Sequence, residues 1–167
     1  QYQLGALKAF TAAHGVKLQH CKPHGALYNM AAKDLELAAA IAEAVRLVDP
    51  ELILLGLAGS KLLEAGRQAG LRVASEVFAD RAYQADGSLV PRKQPGAVIH
   101  DKEEAIARTI RMVTEGKVTA ITGEEVSIQA DSICVHGDNP SAVEFVKNIR
   151  AALTAQGVAI APIAEIV

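Results

Sequence analysis

Residues 51–78 read ELILLGLAGSKLLEAGRQAGLRVASEVF and contain a strand, a helix and a second strand in succession. ELILLGL (51–57) is almost entirely apolar and has the length of a buried strand, and LRVASEVF (71–78) has the same character. Between them, Ser60 can start a short helix that Gly70 ends. Strands that are apolar on both faces are typical of a parallel sheet covered by helices. This stretch therefore predicts an α/β fold.

The same alternation continues towards both ends of the chain. Before residue 51 it predicts a helix over 4–13, a strand over 16–22 and a helix that begins at Asp34 and ends before Pro50. After residue 78 comes a polar passage too long for an ordinary connection, and then a helix that begins with a capping box of Asp101 and Glu104. Chain order thus favours a parallel sheet, either open or closed into a barrel.

The last part of the chain predicts a hairpin, a strand, a helix and a final strand. Residues 117–128 alternate about Gly123 as a β-hairpin does, and DSICVHGD (131–138) is an apolar strand that ends in polar residues. Asn139 and Pro140 open a helix. We expect its inward face to carry Val143, Val146, Ile149 and Leu153, and we expect a short strand over 158–160.

Composition indicates one globular domain over residues 1–167. Of the 167 residues, 50% are hydrophobic and 4% aromatic, so Ala, Val, Ile and Leu must form most of the core. The formal charge of −2 and the lack of a basic run argue against nucleic acid as a partner, and no apolar run is long enough to span a membrane. The two cysteines suggest no disulfide framework, so we expect a cytoplasmic location.

Polar residues follow three of the predicted strands. The chain reads Lys22-Pro23-His24-Gly25 after the first, Asp80-Arg81 after LRVASEVF, and His136-Gly137-Asp138 after the later one. Because the carboxyl ends of parallel strands meet at one edge of a sheet, we expect His24 and His136 to open onto a common cavity. Each histidine taken alone is more simply a loop or capping residue.

These residue types suit acid–base chemistry on a small anion. Histidine exchanges a proton near neutral pH, and Asp138 would orient His136, act as a base or merely help to start the next helix. Lys22, Arg81 and Arg92 would hold a carboxylate or phosphate. No P-loop and no metal-binding motif is present, so the residues alone leave the reaction open.

Several longer strings resemble one known family. KPHGALYN (22–29) closely resembles a signature of the LamB/YcsF family. EVFADRAY (76–83), DGSLVPR (86–92), GAVIHD (96–101) and DSICVHGD (131–138) follow in the family's order. The resemblance implies a seven-stranded (β/α) barrel, as in the glycoside hydrolase and polysaccharide deacetylase superfamily. It also implies a place in carbohydrate metabolism. It also implies ATP-dependent opening of the lactam 5-oxo-L-proline to L-glutamate, together with partner subunits B and C.

The resemblance also selects site residues. His24, His136 and Asp138 are expected to be catalytic, and the substrate is expected to contact Lys22, Tyr28, Asn29, Asp80, Arg81, Tyr83 and Arg92. We expect the chemistry of ATP, with Mg²⁺, to involve a partner subunit or a segment absent from this chain, because no P-loop is visible here. A bound divalent metal is compatible with these residues, but its identity stays open.

This chain departs from the family pattern at its start. Members normally begin with an acidic first strand and a later Cys-Gly-x-His-Ala-Gly-Asp segment, and neither is present. We therefore expect this chain to be the carboxyl-terminal part of a barrel that needs its missing piece, a partner or self-association. Two alternatives to the oxoprolinase interpretation are a metal-dependent amide or N-acetyl hydrolase of carbohydrate-type substrates and a non-catalytic subunit that binds substrate.

Overall fold

The structure is a computed structural model of the chain, and it describes residues 1–137 and 142–167. Helices and strands alternate in it as α/β proteins require. The chain divides into two compact units, Gln1–Ser75 with Val167 and Glu76–Ile166. The strand β3 (Val73–Phe78) begins in the first unit and ends in the second, in a four-stranded sheet of order β1-β2-β3-β6.

The first unit contains four helices and two complete strands. They are α1 (Tyr2–Ala13), β1 (His20–Cys21), α2 (Ala26–Ala31), α3 (Leu35–Val48), β2 (Ile53–Leu57) and α4 (Lys61–Gln68). β1 and β2 are parallel, with Cys21 opposite Leu54. The predicted caps are confirmed, because Asp34 accepts the amide of Leu37 and Ser60 accepts that of Leu63.

The core of the first unit forms where α3 and α4 pack on β2. Its buried residues are small and aliphatic, as expected from the low aromatic content: Ala31, Ala38, Ala42, Val45, Leu52, Leu54, Leu62, Ala65 and Leu71. Burial of such side chains stabilises the fold by about 25 cal/mol for each Å² of apolar surface removed from water. Small residues on the helices let them lie close to the strand.

The second unit contains the end of β3, two helices, a hairpin and β6. The elements are α5 (Lys102–Thr114), β4 (Lys117–Thr119), β5 (Glu125–Ser127), β6 (Ser132–Cys134) and α6 (Ala142–Ala155), followed by a 3-10 turn at Ile163–Glu165. β3 and β6 are parallel, and Phe78 lies opposite Cys134. The predicted hairpin is confirmed, since β4 and β5 are antiparallel with Val118 opposite Val126. α5 and α6 contribute Ala105, Phe145, Ile149 and Leu153 to a core that also contains Ala79.

The polar passage over residues 79–101 is folded onto itself without a helix. Ala82, Val90 and Ala97 form a small apolar cluster. Backbone hydrogen bonds join its two ends, because the amide of Ile99 donates to Asp80 O at 2.9 Å and that of Ala82 donates to Ala97 O at 3.0 Å. The passage therefore returns to the end of β3, where the polar residues predicted for the site begin.

Four predictions about the fold differ from the structure or are not confirmed by it. The described residues contain six strands, two of them in the hairpin, so a seven-stranded barrel is not confirmed. No strand forms over 158–160, because the amide of Val158 instead donates to Leu153 O and closes the end of α6. The predicted inward face of α6 is wrong at Val143 and Val146, which are 69% and 47% exposed, whereas Ala142 and Phe145 are buried. The strand over 16–22 shortens to β1.

No helix among residues 1–137 and 142–167 combines the length and the apolar character needed to cross a bilayer.

Candidate functional site

The ends of β3 and β6 bring two of the predicted residues together. Phe78 lies opposite Cys134 in the parallel register, so Asp80 and His136 both follow the last paired residue by two positions. The amide of Ala79 donates to Cys134 O at 3.3 Å and keeps the two chain segments side by side beyond the strands. Equal spacing after neighbouring strands therefore places the Asp80 carboxylate against the His136 ring.

Asp80 and His136 form a partly buried acid–histidine pair. Nδ1 of His136 lies 2.8 Å from Oδ2 and 3.1 Å from Oδ1 of Asp80. A carboxylate only accepts hydrogen bonds, so Nδ1 carries the proton and Nε2 is left with its lone pair. The Phe78 ring stacks on the imidazole, with centroids 5.8 Å apart and planes inclined by 26°. These contacts fix both the tautomer and the orientation of the ring, as an acid–base catalyst requires.

A cavity of about 280 Å³ opens beside this pair. Its volume is near the lower end of the range for small-molecule sites, about 300–1,000 Å³. Its apolar wall includes Val98, Ile99, Val135 and Phe145. Its polar wall carries three cations, two carboxylates and two histidines: Arg81, Arg92, Lys102, Asp80, Asp101, His100 and His136. An anionic small molecule is the ligand that this balance of charge favours.

Arg81 is the most buried charged residue of the cavity wall, at 6% exposure. Its Nη2 donates to Val90 O at 2.6 Å and its Nε to Ala97 O at 3.3 Å, so the guanidinium binds two separate segments of the 79–101 passage. Burial lowers the pKa of Arg81, the positive charge of Arg92 lowers it further, and Asp80 opposes both effects. Arginine stays charged despite such a shift, so a positive charge lies beneath the cavity.

Tyr83 lies beneath the site and supports it. It is fully buried, and its hydroxyl accepts the amide of Phe78 at 2.8 Å. Burial raises the pKa of the Tyr83 phenol, although the hydrogen bond from Phe78 opposes this. Its carbonyl accepts the amide of Ile121, beside the hairpin. The contact of Tyr83 with a substrate stays a prediction, and the observed contacts are with the backbone.

In the first unit, the string KPHG makes the turn from β1 into α2. Gly25 has φ of 63°, a conformation that other residues rarely adopt, and it precedes the first residue of α2. The amine of Lys22 lies 5.3 Å from the centre of the buried Tyr28 ring, a cation–π contact. Asn29 Nδ2 donates to Gly25 O at 3.1 Å, and His24 is exposed. Pro23, His24 and Gly25 thus expose an imidazole at a rigid turn.

The predicted residues therefore fall into two groups. Asp80, Arg81, Arg92 and His136 line one cavity in the second unit. The first unit holds Lys22, His24, Tyr28 and Asn29. That His24 shares a cavity with His136 stays a prediction. Asp138 lies outside the described residues, so its predicted role stays a prediction too. In the structure, the carboxylate beside His136 belongs to Asp80.

Three polar residues of the cavity wall were not predicted as site residues, namely His100, Asp101 and Lys102. His100 and Lys102 both line the cavity, and Lys102 lies 3.8 Å from the carboxylate of Glu144. Asp101 between them caps α5 by accepting the amide of Glu104 at 2.7 Å. The string GAVIHD (96–101) could have indicated these site residues, because it matched the family pattern and ended in a histidine and an acid.

The described residues suit a single anionic group better than a nucleotide or a metal ion. Among residues 1–137 and 142–167, no group of three His, Cys, Asp or Glu side chains is arranged to hold a metal ion. The cavity has room for a small molecule, and Arg81, Arg92 and Lys102 are single cationic groups rather than a glycine-rich phosphate loop. We therefore assign no chemical step in this cavity to a nucleotide or a metal.

Comparison with known proteins identifies the family to which this chain is similar. The model of a family described as "LamB/YcsF family" matches residues 1–167. The chain is 65% identical over 153 residues to the A subunit of 5-oxoprolinase from Alkaliphilus metalliredigens, an alignment that covers 92% of this chain and 60% of that protein. It is 57% identical over 166 residues to the corresponding protein, also named as the A subunit of 5-oxoprolinase, from Clostridium beijerinckii, covering 99% of this chain and 65% of that protein.

A solved structure shows the same fold. The lactam utilization protein from Thermus thermophilus superposes with a TM-score of 0.86 at 50% sequence identity. The match covers 95% of this chain and 63% of that protein. The chain thus spans less than two thirds of the length of these relatives.

Proposed function

The chain belongs to the LamB/YcsF family, and from this premise we propose that it forms part of the A subunit of a 5-oxoprolinase. Such a protein takes part in hydrolysing the lactam 5-oxo-L-proline to L-glutamate. The names of the relatives support this proposal, as does the small cavity with its excess of cations. Since the relatives are longer, the proposal concerns the activity of the full-length protein.

The observation that carries the proposal is the contact between Asp80 and His136. Hydrolysis of a lactam requires a water molecule to lose a proton as its oxygen attacks the carbonyl carbon. The lone pair on His136 Nε2 accepts that proton, and the same nitrogen later returns it to the ring nitrogen that leaves. Asp80 holds Nδ1–H and stabilises the imidazolium formed in between. His136 is therefore the catalytic residue and Asp80 its positioning residue.

We assign the nucleotide chemistry to a partner. An amide carbonyl is a poor electrophile, and transfer of a phosphoryl group from ATP, with Mg²⁺, to the lactam oxygen would make the attack feasible. After the ring C–N bond breaks, a second water molecule would release this group, so that the products are L-glutamate, ADP and inorganic phosphate. Because the described cavity suits one small anion, we propose that partner subunits B and C supply this chemistry. The relatives are named as one lettered subunit of an enzyme, which supports the existence of partners. We also propose a cytoplasmic location, where metabolic ATP is found.

The first unit has a proposed part in the same reaction. His24 is exposed at the rigid turn between β1 and α2, as a residue that meets a ligand would be. We propose that it assists proton transfer, that Lys22, Tyr28 and Asn29 contact the substrate, and that the full-length protein forms the seven-stranded barrel implied by the resemblance. His24→Ala in the full-length protein should then slow turnover at least about tenfold. Retention of the full rate would remove His24 from the mechanism.

The proposal predicts a large effect of Asp80→Asn. This substitution keeps the size of the side chain but removes the charge that stabilises the imidazolium, and its amide can turn the ring to the wrong tautomer. Full-length protein, combined with subunits B and C and supplied with ATP and 5-oxo-L-proline, should release glutamate about a hundredfold more slowly or worse. Glutamate release is the measurement.

Glu103→Gln is the matched control, because Glu103 is exposed on α5 and lies outside the cavity wall. It should leave the rate unchanged. An Asp80→Asn protein that works at the rate of this control would exclude the acid–histidine pair from the reaction.

A non-catalytic, substrate-binding subunit is the second candidate, favoured by the cationic wall of the cavity. It requires that 5-oxo-L-proline bind equally well, and that turnover stay unchanged, in His136→Gln. The metal-dependent amide hydrolase instead requires loss of activity on chelation and recovery when metal is added. Calorimetry and these two activity measurements separate the three functions.

A further inference from the structure

In the described part of the protein, Arg81 is a buried cation that hydrogen-bonds only to neutral groups. The residue is 6% exposed, yet its hydrogen bonds go to two neutral carbonyls, Val90 O and Ala97 O. In the part of the chain that the structure describes, Arg81 forms no ion pair, and the nearby Asp80 is engaged by His136. A buried cation without a directly bonded counter-ion is costly. The Asp80 charge favours the Arg81 cation without bonding to its N–H groups, so this arrangement favours an anion from outside the protein.

The guanidinium also has donors left over. It carries five N–H groups in a planar fork, and the two observed hydrogen bonds use Nε and one hydrogen of Nη2. Nη1 has no acceptor among the described residues. Arg81 lines the cavity, and Arg92 and Lys102 lie on the same wall. A carboxylate that enters the cavity can therefore bind Arg81 without displacing either carbonyl.

We propose that Arg81 binds the carboxylate of the ligand and the 79–101 passage at the same time, so that anion binding orders the passage. Val90 and Ala97 lie on opposite sides of its exposed tip, which includes Arg92 and Lys93. An anion held on Nη1 fixes the guanidinium, and the fixed guanidinium holds both carbonyls. The charge of the ligand thereby positions Arg92 and His100 around it. This inference deepens the proposed function, but its test uses no turnover.

Three ring compounds separate the charge from the lactam. 5-Oxo-L-proline has both groups, cyclopentanecarboxylate has the carboxylate alone, and 2-pyrrolidone has the lactam alone. Trypsin cleavage after Arg92 and Lys93 reports on the exposed tip of the passage. In full-length protein, we expect the two carboxylates to slow this cleavage severalfold and 2-pyrrolidone to leave it unchanged. Protection by 2-pyrrolidone equal to that by the carboxylates, or no protection by any compound, would overturn the proposal.

Variants of Arg81 test the link itself. Arg81→Lys keeps the charge, but a single ammonium group cannot replace the planar fork that reaches two carbonyls and an anion. We expect about tenfold weaker binding of cyclopentanecarboxylate in calorimetry and loss of its protection against trypsin. Arg150→Lys on the exposed face of α6 is the matched control and should retain both. Unchanged affinity and protection in a folded Arg81→Lys protein would refute the role of Arg81.

The outcomes also distinguish this inference from the proposed function. Protection by cyclopentanecarboxylate in a protein that does not hydrolyse 5-oxo-L-proline would support the anion site and count against the oxoprolinase. Hydrolysis of 5-oxo-L-proline without any carboxylate-dependent protection against trypsin would support the oxoprolinase and count against the anion site. If Arg81→Lys does not fold, the comparison of the three compounds on the unaltered protein still tests whether anion binding orders the passage.

Discussion

Gly66 is the residue at which α4 comes closest to the sheet. A Cβ built there would lie 2.7 Å from Val73 Cγ1 and 3.1 Å from Leu54 Cδ2, and both neighbours are in the core of the first unit. Such a distance requires β3 or the helix to shift. The same glycine would otherwise be a weakness, because glycine in a helix costs about 1 kcal/mol relative to alanine.

Gly66→Ala should therefore destabilise the protein although it improves helix propensity. Overpacking costs about 1–3 kcal/mol, and the propensity gain of about 1 kcal/mol offsets only part of it. The matched control is Gly5→Ala in α1, where an added Cβ would have no neighbour within 4 Å. Urea unfolding should show lower stability for the first variant and equal or higher stability for the second. The reverse order would mean that α4 does not pack as described.

Tyr83 predicts how stability depends on pH in alkaline solution. Burial raises the pKa of its phenol above the unfolded value of about 10. Below pH of about 10 the folded and unfolded states both keep the proton. As the pH rises further, the unfolded state loses the proton first, so the free energy of unfolding falls. Unfolding followed at several pH values should show this fall.

The comparison with Tyr83→Phe isolates the effect of that phenol. The variant should lose about 1–3 kcal/mol at neutral pH, because the buried Phe78 amide loses its acceptor. Its stability should then fall less steeply above pH of about 10. The absorbance of ionised tyrosine gives a second measurement, since Tyr83 should ionise at a higher pH in the folded protein than in the unfolded one. Parallel curves for the two proteins would contradict the burial of Tyr83.

The residues of the site were only partly predictable from the sequence. The spacing of polar residues after strands identified His136, Asp80 and Arg81, because strand ends can be recognised from apolar runs. The sequence did not show that Asp80 contacts His136, since this depends on β3 and β6 being neighbours although they are far apart along the chain. His100 was missed because it follows a passage with no regular pattern.

Among the elements, the hairpin of β4 and β5 is joined to α5 by the contacts of one surface arginine. Arg111 in α5 donates to Glu125 in β5, to Thr119 in β4 at 2.9 Å, and to Glu115 at 3.0 Å. A two-stranded hairpin has little stability alone, so contacts with a neighbouring helix hold it. Exposed ion pairs are weak singly and are screened by salt, but here several converge on one guanidinium.

Arg111→Ala should loosen the hairpin without unfolding the protein. The amides of Ala120 and Ile128, which bond to Glu124 O and Gly116 O, should exchange with deuterium faster than in the unaltered protein. Exchange in the middle of α3 should stay the same. High salt should produce part of the same effect in the unaltered protein. Equal exchange in variant and unaltered protein would show that the arginine contacts do not hold the hairpin.

The elements themselves were predicted well where local signals are strong. Asp34, Ser60 and Asp101 each cap the helix that the sequence assigned to them. The predicted face of α6 was confirmed at Ile149 and Leu153 and wrong at Val143 and Val146. The aliphatic residues of α6 occur on two sides, and the side that is buried depends on what packs against the helix, here with Phe145 inward. The strand expected at 158–160 was wrong because a short apolar run has no pairing partner of its own.

At the scale of the whole molecule, the alternation of strand and helix was sufficient to predict the α/β class. The number of strands and the closure of a barrel depend on long-range pairing that periodicity does not contain. The family resemblance pointed to the LamB/YcsF family, which periodicity could not do, and a matching family model and a solved relative at 50% identity confirm the family. The central chemical claim, however, depends on the His136 and Asp80 pair rather than on resemblance.

The most direct test of that claim is the rate of ATP-dependent glutamate release from 5-oxo-L-proline by full-length His136→Gln combined with the proposed partner subunits B and C. Glutamine cannot exchange a proton near neutral pH, so the rate should fall by about 10²–10⁴-fold. His14→Gln, at the exposed end of α1, is the control and should keep the full rate. A His136→Gln protein as active as His14→Gln would contradict the account.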